Sequence, residues 1–352
     1  MKFENKLQEI WIFGLIILAA VSAISQPPTE CGNRYGIQPT REMIVDMDGV
    51  GDDIIGLCIA LRAESLDGGP KVIAITCVNG NTYARNCAMN VLKTLKLFNR
   101  LDIPVYVGAE HPILLPYYKN ISFYGRDGLN DFHYPDPPSP SLIKNTNAVI
   151  AMIDIVRRNP GKVTIVAMAP LTNIAIAIRL YPNLLLDAQQ VLVMGGATNG
   201  HGNIIPGVDA NSYADPAAGY VLFNGACKSN PIHLVPLETT IAVRVRMDFR
   251  LALTTKKNPI GWLIDNAEGS ALDRNAEYWF CPDAVAMVVA TTLGCIVTKS
   301  AYYHMEAIYE GERTAGLTIV DFGNVTEKEP NINLIQEINS ETYHQLLTRY
   351  LS

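Results

Sequence analysis

The sequence predicts an α/β fold, a single domain in which helices flank a mainly parallel sheet. Short apolar runs without polar alternation recur along the chain, as is typical of strands that are buried on both faces. Helical segments separate these runs, which favours parallel strand pairing. Of 352 residues, 49% are hydrophobic and 18% are charged. This composition is typical of a folded globular chain and argues against a disordered or coiled-coil protein.

The predicted elements alternate from residue 43 to residue 236. The predicted strands span residues 43–45, 72–78, 104–107, 163–167, 191–194 and 232–236. The predicted helices span residues 54–62, 84–97, 149–157, 171–180, 216–223 and 340–350. Residues 302–309 and 314–320 flank Glu310-Gly-Glu and predict a late antiparallel hairpin. The proline-rich stretch 134–140 is predicted to be a loop within one domain, because the strand–helix rhythm resumes after it.

The charge balance bears on the class of partner. The chain has 28 basic and 34 acidic residues, a formal net charge of −6. Surfaces that bind nucleic acid usually carry a basic excess, so no nucleic-acid partner is expected. The acidic residues are unevenly spread, and four aspartates fall between residues 46 and 53 in an otherwise apolar stretch.

The N-terminus predicts a secretory signal peptide over residues 1–23, followed by one domain over residues 24–352. Lys2 and Lys6 precede an apolar run at 10–21, and Val21 and Ala23 suit positions −3 and −1 of a cleavage site. The run is short for a membrane span, although a retained signal anchor is the alternative. We therefore expect a secreted, extracellular protein with no membrane association after cleavage.

If the protein is secreted, its glycosylation sequons and its cysteines become relevant. Asn120 and Asn324 begin glycosylation sequons that a secreted chain could use. The chain has seven cysteines and no CxxC pair, which argues against a thiolate metal site. Cys58 and Cys77 lie in apolar runs and are expected to pack as small hydrophobic residues.

The aspartate cluster contains Asp46, Asp48, Asp52 and Asp53, between a predicted strand and a predicted helix. Ligand sites in parallel α/β sheets lie at the carboxyl ends of strands. Helix capping would explain one of the last two aspartates, but not four like charges in one place. A cation relieves such crowding, and carboxylates without His or Cys favour Ca²⁺ or Mg²⁺.

Two enzyme classes fit this stretch. The segment 45–50 resembles the first motif of haloacid-dehalogenase-type phosphatases, in which the first Asp is a nucleophile. That class also needs a later Lys and a separate acidic pair, for which the sequence offers no clear candidate. The D-x-D-x-x-x-D-D pattern instead resembles the signature of the inosine–uridine-type nucleoside hydrolases.

Five further segments resemble motifs of that hydrolase family, in family order. They are the G-N-T loop at 76–82, P-L-T-N-I-A at 166–175, M-G-G at 193–196, D-x-N-x-x-x-D-P at 209–216 and the aspartate-bearing helix start at 283–286. Together with the first motif, the ordered set extends from about residue 43 to residue 286, which is most of the mature chain. The resemblance implies the family's Rossmann-like nucleoside hydrolase fold and a homodimer or homotetramer.

The resemblance also implies a Ca²⁺ site and a catalytic base. In this family a Ca²⁺ ion holds the attacking water and the ribose 2′- and 3′-hydroxyls. By analogy, Asp48, Asp53 and Asp283 would supply carboxylates and Met168 its backbone carbonyl. Asp48 would also be the catalytic general base, since a carboxylate beside the activated water can take its proton.

The remaining polar residues are assigned to the sugar by the same resemblance. Asp52 and Asn81 would bind ribose hydroxyls, while Asp209, in place of the family's usual Glu, and Asn211 would hold the sugar from the other side. Without the other motifs, Asn81 and Asn211 could equally be turn residues. Asp46 is expected to orient the loop rather than bind metal.

The sequence departs from the family pattern on the side of the nucleobase. Pro282 stands where inosine–uridine-type members often have a His, and Tyr124 replaces another family His. Tyr124, Trp279 and Phe280 are candidate base-contacting residues, because aromatic stacking assists departure of a purine. His133 lies near the Tyr124 loop and is a further candidate, although it could equally be a surface residue.

We therefore expect Ca²⁺-dependent hydrolysis of the N-glycosidic bond of ribonucleosides, purine nucleosides above all, with no organic cofactor. A secreted homologue that binds nucleosides without cleaving them is the alternative, because the base-side histidines are missing. A haloacid-dehalogenase-type phosphatase is the weaker alternative.

Overall fold

An eight-stranded sheet organises the chain. The structure, a computed structural model, describes residues 35–114, 123–254 and 258–352. The predicted signal peptide, the sequon at Asn120 and Cys31 lie outside the described residues. Among the helices of the described ranges, none has both the length and the apolarity needed to cross a membrane.

The sheet has the order β3-β2-β1-β4-β5-β6-β12-β9. All neighbouring strands pair in parallel except β12 and β9, which are antiparallel. These strands are β1 (Glu42–Met47), β2 (Lys71–Cys77), β3 (Val105–Val107), β4 (Val163–Ala167), β5 (Gln190–Met194), β6 (Ile232–Val235), β9 (Val297–Tyr303) and β12 (Ile332–Ile338). Two small antiparallel pairs, outside this sheet, are β7 (Val245–Arg246) with β8 (Tyr278–Trp279) and β10 (Met305–Ala307) with β11 (Thr318–Val320).

The described helices lie in the connections between strands, except the last one, which follows β12. They are α1 (Gly51–Asp67), α2 (Ala84–Leu97), α3 (Ala148–Arg158), α4 (Thr172–Leu180), α5 (Leu184–Asp187), α6 (Ala210–Ala214), α7 (Pro216–Gly225), α8 (Leu237–Ala242), α9 (Met247–Leu253), α10 (Pro259–Glu268), α11 (Pro282–Thr291) and α12 (Ser340–Leu351).

Two hydrophobic clusters pack against the sheet. Successive side chains of a strand point to opposite faces, and in β1 Met43 and Val45 belong to one cluster whereas Ile44 belongs to the other. Cys58 and Cys77 are fully buried in the first cluster, as their apolar surroundings in the sequence predict. Burial on both faces explains why the central strands read as continuous apolar runs.

The predicted fold class is confirmed, and so is the late antiparallel pair. Its strands β10 and β11 are shorter than predicted, because the start of the predicted hairpin belongs to β9, which pairs with β12. The partner strand β12 was not predicted. Helices α8, α9 and α10 were also missed, since each is only six to ten residues long and short apolar segments of this kind do not distinguish a helix.

The strand order places a crevice beside β1. From β1 the chain adds β2 and β3 on one side, and it then returns to add β4 on the other side. Such a switch of direction leaves a gap at the carboxyl ends of the two central strands, where α/β proteins bind ligands. The aspartate cluster begins with Asp46 in β1 and continues beyond the end of that strand at this position.

Candidate active site

A cavity of about 390 Å³ opens at the carboxyl end of the sheet. Its walls come from the chain after β1, β2, β4 and β5, from residues 123 and 124 after β3, and from residues 247–283. It brings together all eleven residues that the sequence predicts for the site, namely Asp48, Asp52, Asp53, Asn81, Tyr124, Met168, Asp209, Asn211, Trp279, Phe280 and Asp283. Residues up to 235 positions apart in the chain therefore meet in one place.

The turn after β1 directs the first carboxylates into this cavity. Gly49 has a φ of +68°, a conformation that glycine adopts without strain, and an added Cβ there would lie 2.6 Å from the Cys87 sulfur. Helix α1 begins two residues later, so Asp52 and Asp53 occupy its first turn. The Val50 backbone N–H donates to Asp53 Oδ2 at 3.2 Å. The positive end of the helix dipole lies beside these two carboxylates and stabilises them.

Three carboxylates are close enough to bind one cation. Oxygen atoms of Asp52, Asp53 and Asp283 lie within 4.8 Å of one another. Asp283 occupies the first turn of α11, so a second helix N-terminus faces the cluster. Asp53 Oδ1 is buried and has no hydrogen-bond partner among the residues that the structure describes. An unpartnered buried carboxylate oxygen is costly, and coordination to a cation would satisfy it.

The pKa values of the clustered aspartates also indicate a place for a cation. Burial, together with the charge of Asp48, raises the pKa of Asp52 to about 7. Burial and the neighbouring aspartates raise the pKa values of Asp53 and Asp283 well above their ordinary range. Like charges in a desolvated place disfavour ionisation, and a divalent cation would restore it. The residues present therefore fit a hard metal ion.

Asp48 is held by the loop that follows β2. Its Oδ2 accepts hydrogen bonds from the Asn81 backbone N–H and from Asn81 Nδ2, the latter at 3.0 Å. Gly80 permits this approach, since an added Cβ would lie only 2.2 Å from Asp48 Oδ2. Asn81 thus serves to orient Asp48, a role that the sequence did not suggest for it.

Asp46 lies below the cavity and does not line it. Its Oδ1 accepts hydrogen bonds from Thr76 Oγ1 at 2.6 Å and from Asn173 Nδ2 at 2.8 Å, while its backbone carbonyl accepts from the Met168 N–H. Burial raises the pKa of Asp46 to about 7, although the hydrogen bonds from Asn173 and Thr76 act to lower it. Its contacts join the ends of β1, β2 and β4 beneath the carboxylate cluster.

Asp209 and Asn211 form the opposite wall. Asp209 caps α6, and its Oδ2 accepts from the Gly196 N–H at 2.7 Å, which joins α6 to the end of β5. Asn211 Nδ2 donates to the Met168 carbonyl at 3.0 Å. The Met168 carbonyl predicted for the metal therefore lies at the cavity and is oriented by Asn211.

The predicted base-contacting residues are not equivalent. Tyr124 donates a hydrogen bond to Asp52, and its ring lies 2.6 Å from where a Cβ on Gly51 would be, so it belongs to the carboxylate end. Phe280 lines the cavity and is 41% exposed, whereas Trp279 lines it and is buried. None of the described histidines lines the cavity, His133 included.

Sequence reasoning missed three lining residues of chemical interest. Phe123 and Tyr278 add aromatic surface beside Tyr124 and Trp279, and only their positions next to those residues could have indicated them. Glu268 is a buried carboxylate that also lines the cavity. It ends an ordinary helix and belongs to no recognisable motif, so nothing in the sequence pattern distinguished it.

Known proteins resemble this chain over most of its length. The chain matches the family described as inosine-uridine preferring nucleoside hydrolase over residues 43–345. It is 29% identical over 318 residues to the pyrimidine-specific ribonucleoside hydrolase RihA of Salmonella arizonae, covering 88% of this chain and 97% of that protein. The RihA protein of Klebsiella pneumoniae is 27% identical over 315 residues, with 88% of this chain and 98% of that protein covered.

Solved structures show the same relationship. An inosine-guanosine nucleoside hydrolase superposes with a TM-score of 0.81 at 27% identity, covering 88% of this chain and 98% of the other. A purine-preferring ribonucleoside hydrolase from Gardnerella vaginalis shares the fold with a TM-score of 0.77 at 22% identity, with 88% of this chain and 98% of the other covered. With its fold, ordered motifs and family match, this chain belongs to the inosine-uridine preferring nucleoside hydrolase family.

Proposed function

We propose that this protein is a Ca²⁺-dependent hydrolase of the N-glycosidic bond of ribonucleosides, releasing free base and ribose. The observation that carries the proposal is the single cavity that joins Asp48 to the cluster of Asp52, Asp53 and Asp283. Membership of the nucleoside hydrolase family supports the reaction class.

In this proposal the cation is held by Asp48, Asp53, Asp283 and the Met168 carbonyl. Asp52 offers a further oxygen, because its carboxylate lies within 4.8 Å of those of Asp53 and Asp283. A bound Ca²⁺ would lower the pKa of water and fix the ribose hydroxyls. The preference for Ca²⁺ over Mg²⁺ rests on the many carboxylate and carbonyl oxygens available, because Ca²⁺ takes six to eight such ligands.

The catalytic steps are assigned to residues of the chain. Asp48, oriented through both hydrogen bonds from Asn81, accepts the proton of the attacking water. Asp52, Asn81, Asp209 and Asn211 position the ribose. As the base departs, positive charge develops on the ribosyl ring, and the nearby carboxylates stabilise it.

Preference for purine nucleosides is the finer part of the proposal. The base end of the cavity is lined by Tyr278, Trp279 and Phe280, together with Phe123, which offer a broad aromatic surface. A purine presents more area for stacking than a pyrimidine, so such a wall favours it. The curated relatives are named for pyrimidine nucleosides and one solved relative for inosine and guanosine, so the test includes both classes.

The test is an assay of the purified protein with inosine, guanosine, adenosine, uridine and cytidine, each with and without a chelator. We expect release of free base, faster for purines, lost on chelation and restored by Ca²⁺ better than by Mg²⁺. No release from any nucleoside by the folded protein would refute the enzyme. Binding without turnover would instead support a nucleoside-binding homologue.

We also propose that the protein is secreted after cleavage behind Ala23 and assembles as a homodimer or homotetramer. The basic, apolar and small-residue order of residues 1–23 supports secretion. The sequon at Asn324 lies in a turn whose neighbour Val325 is 85% exposed, so a glycan could attach there. Mass spectrometry of the protein from a secreting host would identify the mature N-terminus and any glycan, and light scattering would give the assembly.

A further inference from the structure

The wall that carries Trp279 is held by a buried ion pair. Arg250 of α9 and Glu268 of α10 are both almost fully buried. Arg250 Nε donates to Glu268 Oε2 at 2.8 Å, and Arg250 Nη2 donates to the same carboxylate and to Asp265 Oδ1 at 3.0 Å. The guanidinium satisfies the carboxylate on the side away from the cavity, because Glu268 lines the cavity and Arg250 does not.

The same carboxylate holds the indole of Trp279. Trp279 Nε1 donates to Glu268 Oε1 at 2.5 Å. The Arg250 guanidinium carbon lies 5.5 Å from the centre of the Trp279 ring, within the range of a cation–π contact. The ring is therefore held at its N–H and over its face by two residues that are themselves paired.

These contacts add directional constraints to a ring that already packs in the hydrophobic core. Trp279 lies in β8, a strand of two residues that pairs only with β7. So short a strand pair gives the backbone little rigidity. The indole N–H bond and the guanidinium contact, together with the packing of the buried ring, supply the constraint that the backbone does not.

We propose that Glu268, paired with Arg250, is a positioning residue that sets the Trp279 indole as the wall against which the nucleobase packs. The inference rests on the proposed nucleoside hydrolysis. Glu268 acts through Trp279 and is not a proton donor, because both of its oxygens already accept hydrogen bonds. Its contribution is to the selectivity among bases and to the geometry of the bound nucleoside.

The test uses paired substitutions, because Glu268→Leu alone would leave a buried guanidinium charge largely uncompensated. Arg250→Met with Glu268→Gln removes both charges and keeps an acceptor oxygen for the indole N–H. Arg250→Met with Glu268→Leu removes both charges and the acceptor. Trp279→Phe changes no charge and removes the indole N–H that donates to Glu268. It tests the same contact from the side of the ring if one of the double variants does not fold.

We expect the Leu pair to lose about tenfold to a hundredfold in kcat/KM for the preferred nucleoside, as displaced contacts do. The loss should appear mainly in KM and should narrow the ratio between purine and pyrimidine nucleosides. The Gln pair should keep most of the native selectivity, and Trp279→Phe should resemble the Leu pair. Trp262→Phe is the matched control, because Trp262 packs on Phe132 and Tyr134 outside the cavity.

A second readout does not depend on turnover. With Trp11→Phe and Trp262→Phe in the background, Trp279 is the only tryptophan left. Its near-ultraviolet circular dichroism should weaken in the Leu pair and persist in the Gln pair. Unchanged dichroism together with unchanged KM and selectivity in the Leu pair would overturn the inference. Absence of turnover in the unmodified protein would refute the proposed function, while the dichroism would still test the indole anchor.

Discussion

The two ends of the cavity are built in different ways. The carboxylate end is made by the loops that directly follow β1 and β2 and by the first turns of α1 and α11. The base end is made largely by residues 245–281, a series of short helices and a two-residue strand pair outside the main sheet. The carboxylate end is therefore fixed by the strands and helices of the main sheet. The base end is fixed by side-chain contacts within a segment that lies outside that sheet.

Under the proposed function, the difference separates the chemistry from the selectivity among bases. Carboxylates that must hold a cation and a proton need positions set to within a fraction of an ångström, which strand ends and helix N-termini provide. The contact with the base can be altered without disturbing those positions. The carboxylates that the motifs assign to the cation, Asp48, Asp53 and Asp283, all lie at the carboxylate end.

The largest expected effect follows from Asp48→Ala, with Asp48→Asn as the conservative version. If the carboxylate end carries the chemistry, either change lowers kcat by about 10²- to 10⁴-fold, the usual contribution of a general base. In the metal-free protein the melting temperature should change little, because the removal of one of several crowded like charges offsets the loss of the hydrogen bonds from Asn81. Steady-state kinetics and thermal melts measure both.

Asp154→Ala is the matched control for this prediction. Asp154 lies on α3 with a partly exposed side chain and forms only a surface ion pair with Arg158. Near-normal rates in Asp48→Ala would show that the base is another residue.

The same contrast explains how far the sequence could predict the molecule. The central strands β1, β2, β4, β5 and β6 are buried on both faces and therefore read as apolar runs. The site residues at their ends belong to recognisable motifs. The roles of Glu268 and Arg250 could not be predicted, because an ion pair between two short helices depends on their packing. The position of Tyr124 beside Asp52 depends likewise on a loop fold that no local pattern encodes.

Gly80→Ala should produce the next largest effect. The added Cβ would lie 2.2 Å from Asp48 Oδ2, so the carboxylate must move. A displacement of about 1 Å at a reacting group costs on the order of a hundredfold in rate, and we expect a loss of that size in kcat. Gly225→Ala is the matched control, because the nearest atom to its added Cβ is at the ordinary distance of 3.4 Å. Equal kinetics in the two variants would show that the loop does not orient Asp48.

Metal binding should depend on pH with a defined sign. Without metal, the pKa of Asp52 is raised from 3.8 to about 7, so the folded apo protein retains protons that the unfolded chain loses. This contribution to stability is complete below pH 3.8 and disappears as the pH rises through 7. A cation displaces those protons, so its affinity should rise with pH.

The measurement is the difference between melting temperatures with Ca²⁺ and with chelator, taken from pH 5 to pH 8. The difference should widen with pH, and at a hundredfold excess over Kd the stabilisation amounts to about 2.7 kcal/mol. In Asp52→Asn the dependence on pH should be shallower. A difference that narrows as the pH rises would contradict metal binding by these carboxylates.

The smallest effect is expected at the rim of the base end. Phe280 lines the cavity but is 41% exposed, so it can stack on a bound base without supporting the wall behind it. Phe280→Ala should raise KM for purine nucleosides by about fivefold, since an aromatic contact is worth about 1 kcal/mol, and it should leave kcat unchanged. Phe322→Ala, at an exposed position away from the cavity, is the control. A fall in kcat rather than a rise in KM would mean that the base end also takes part in the chemical step, and the separation between the two ends would no longer hold.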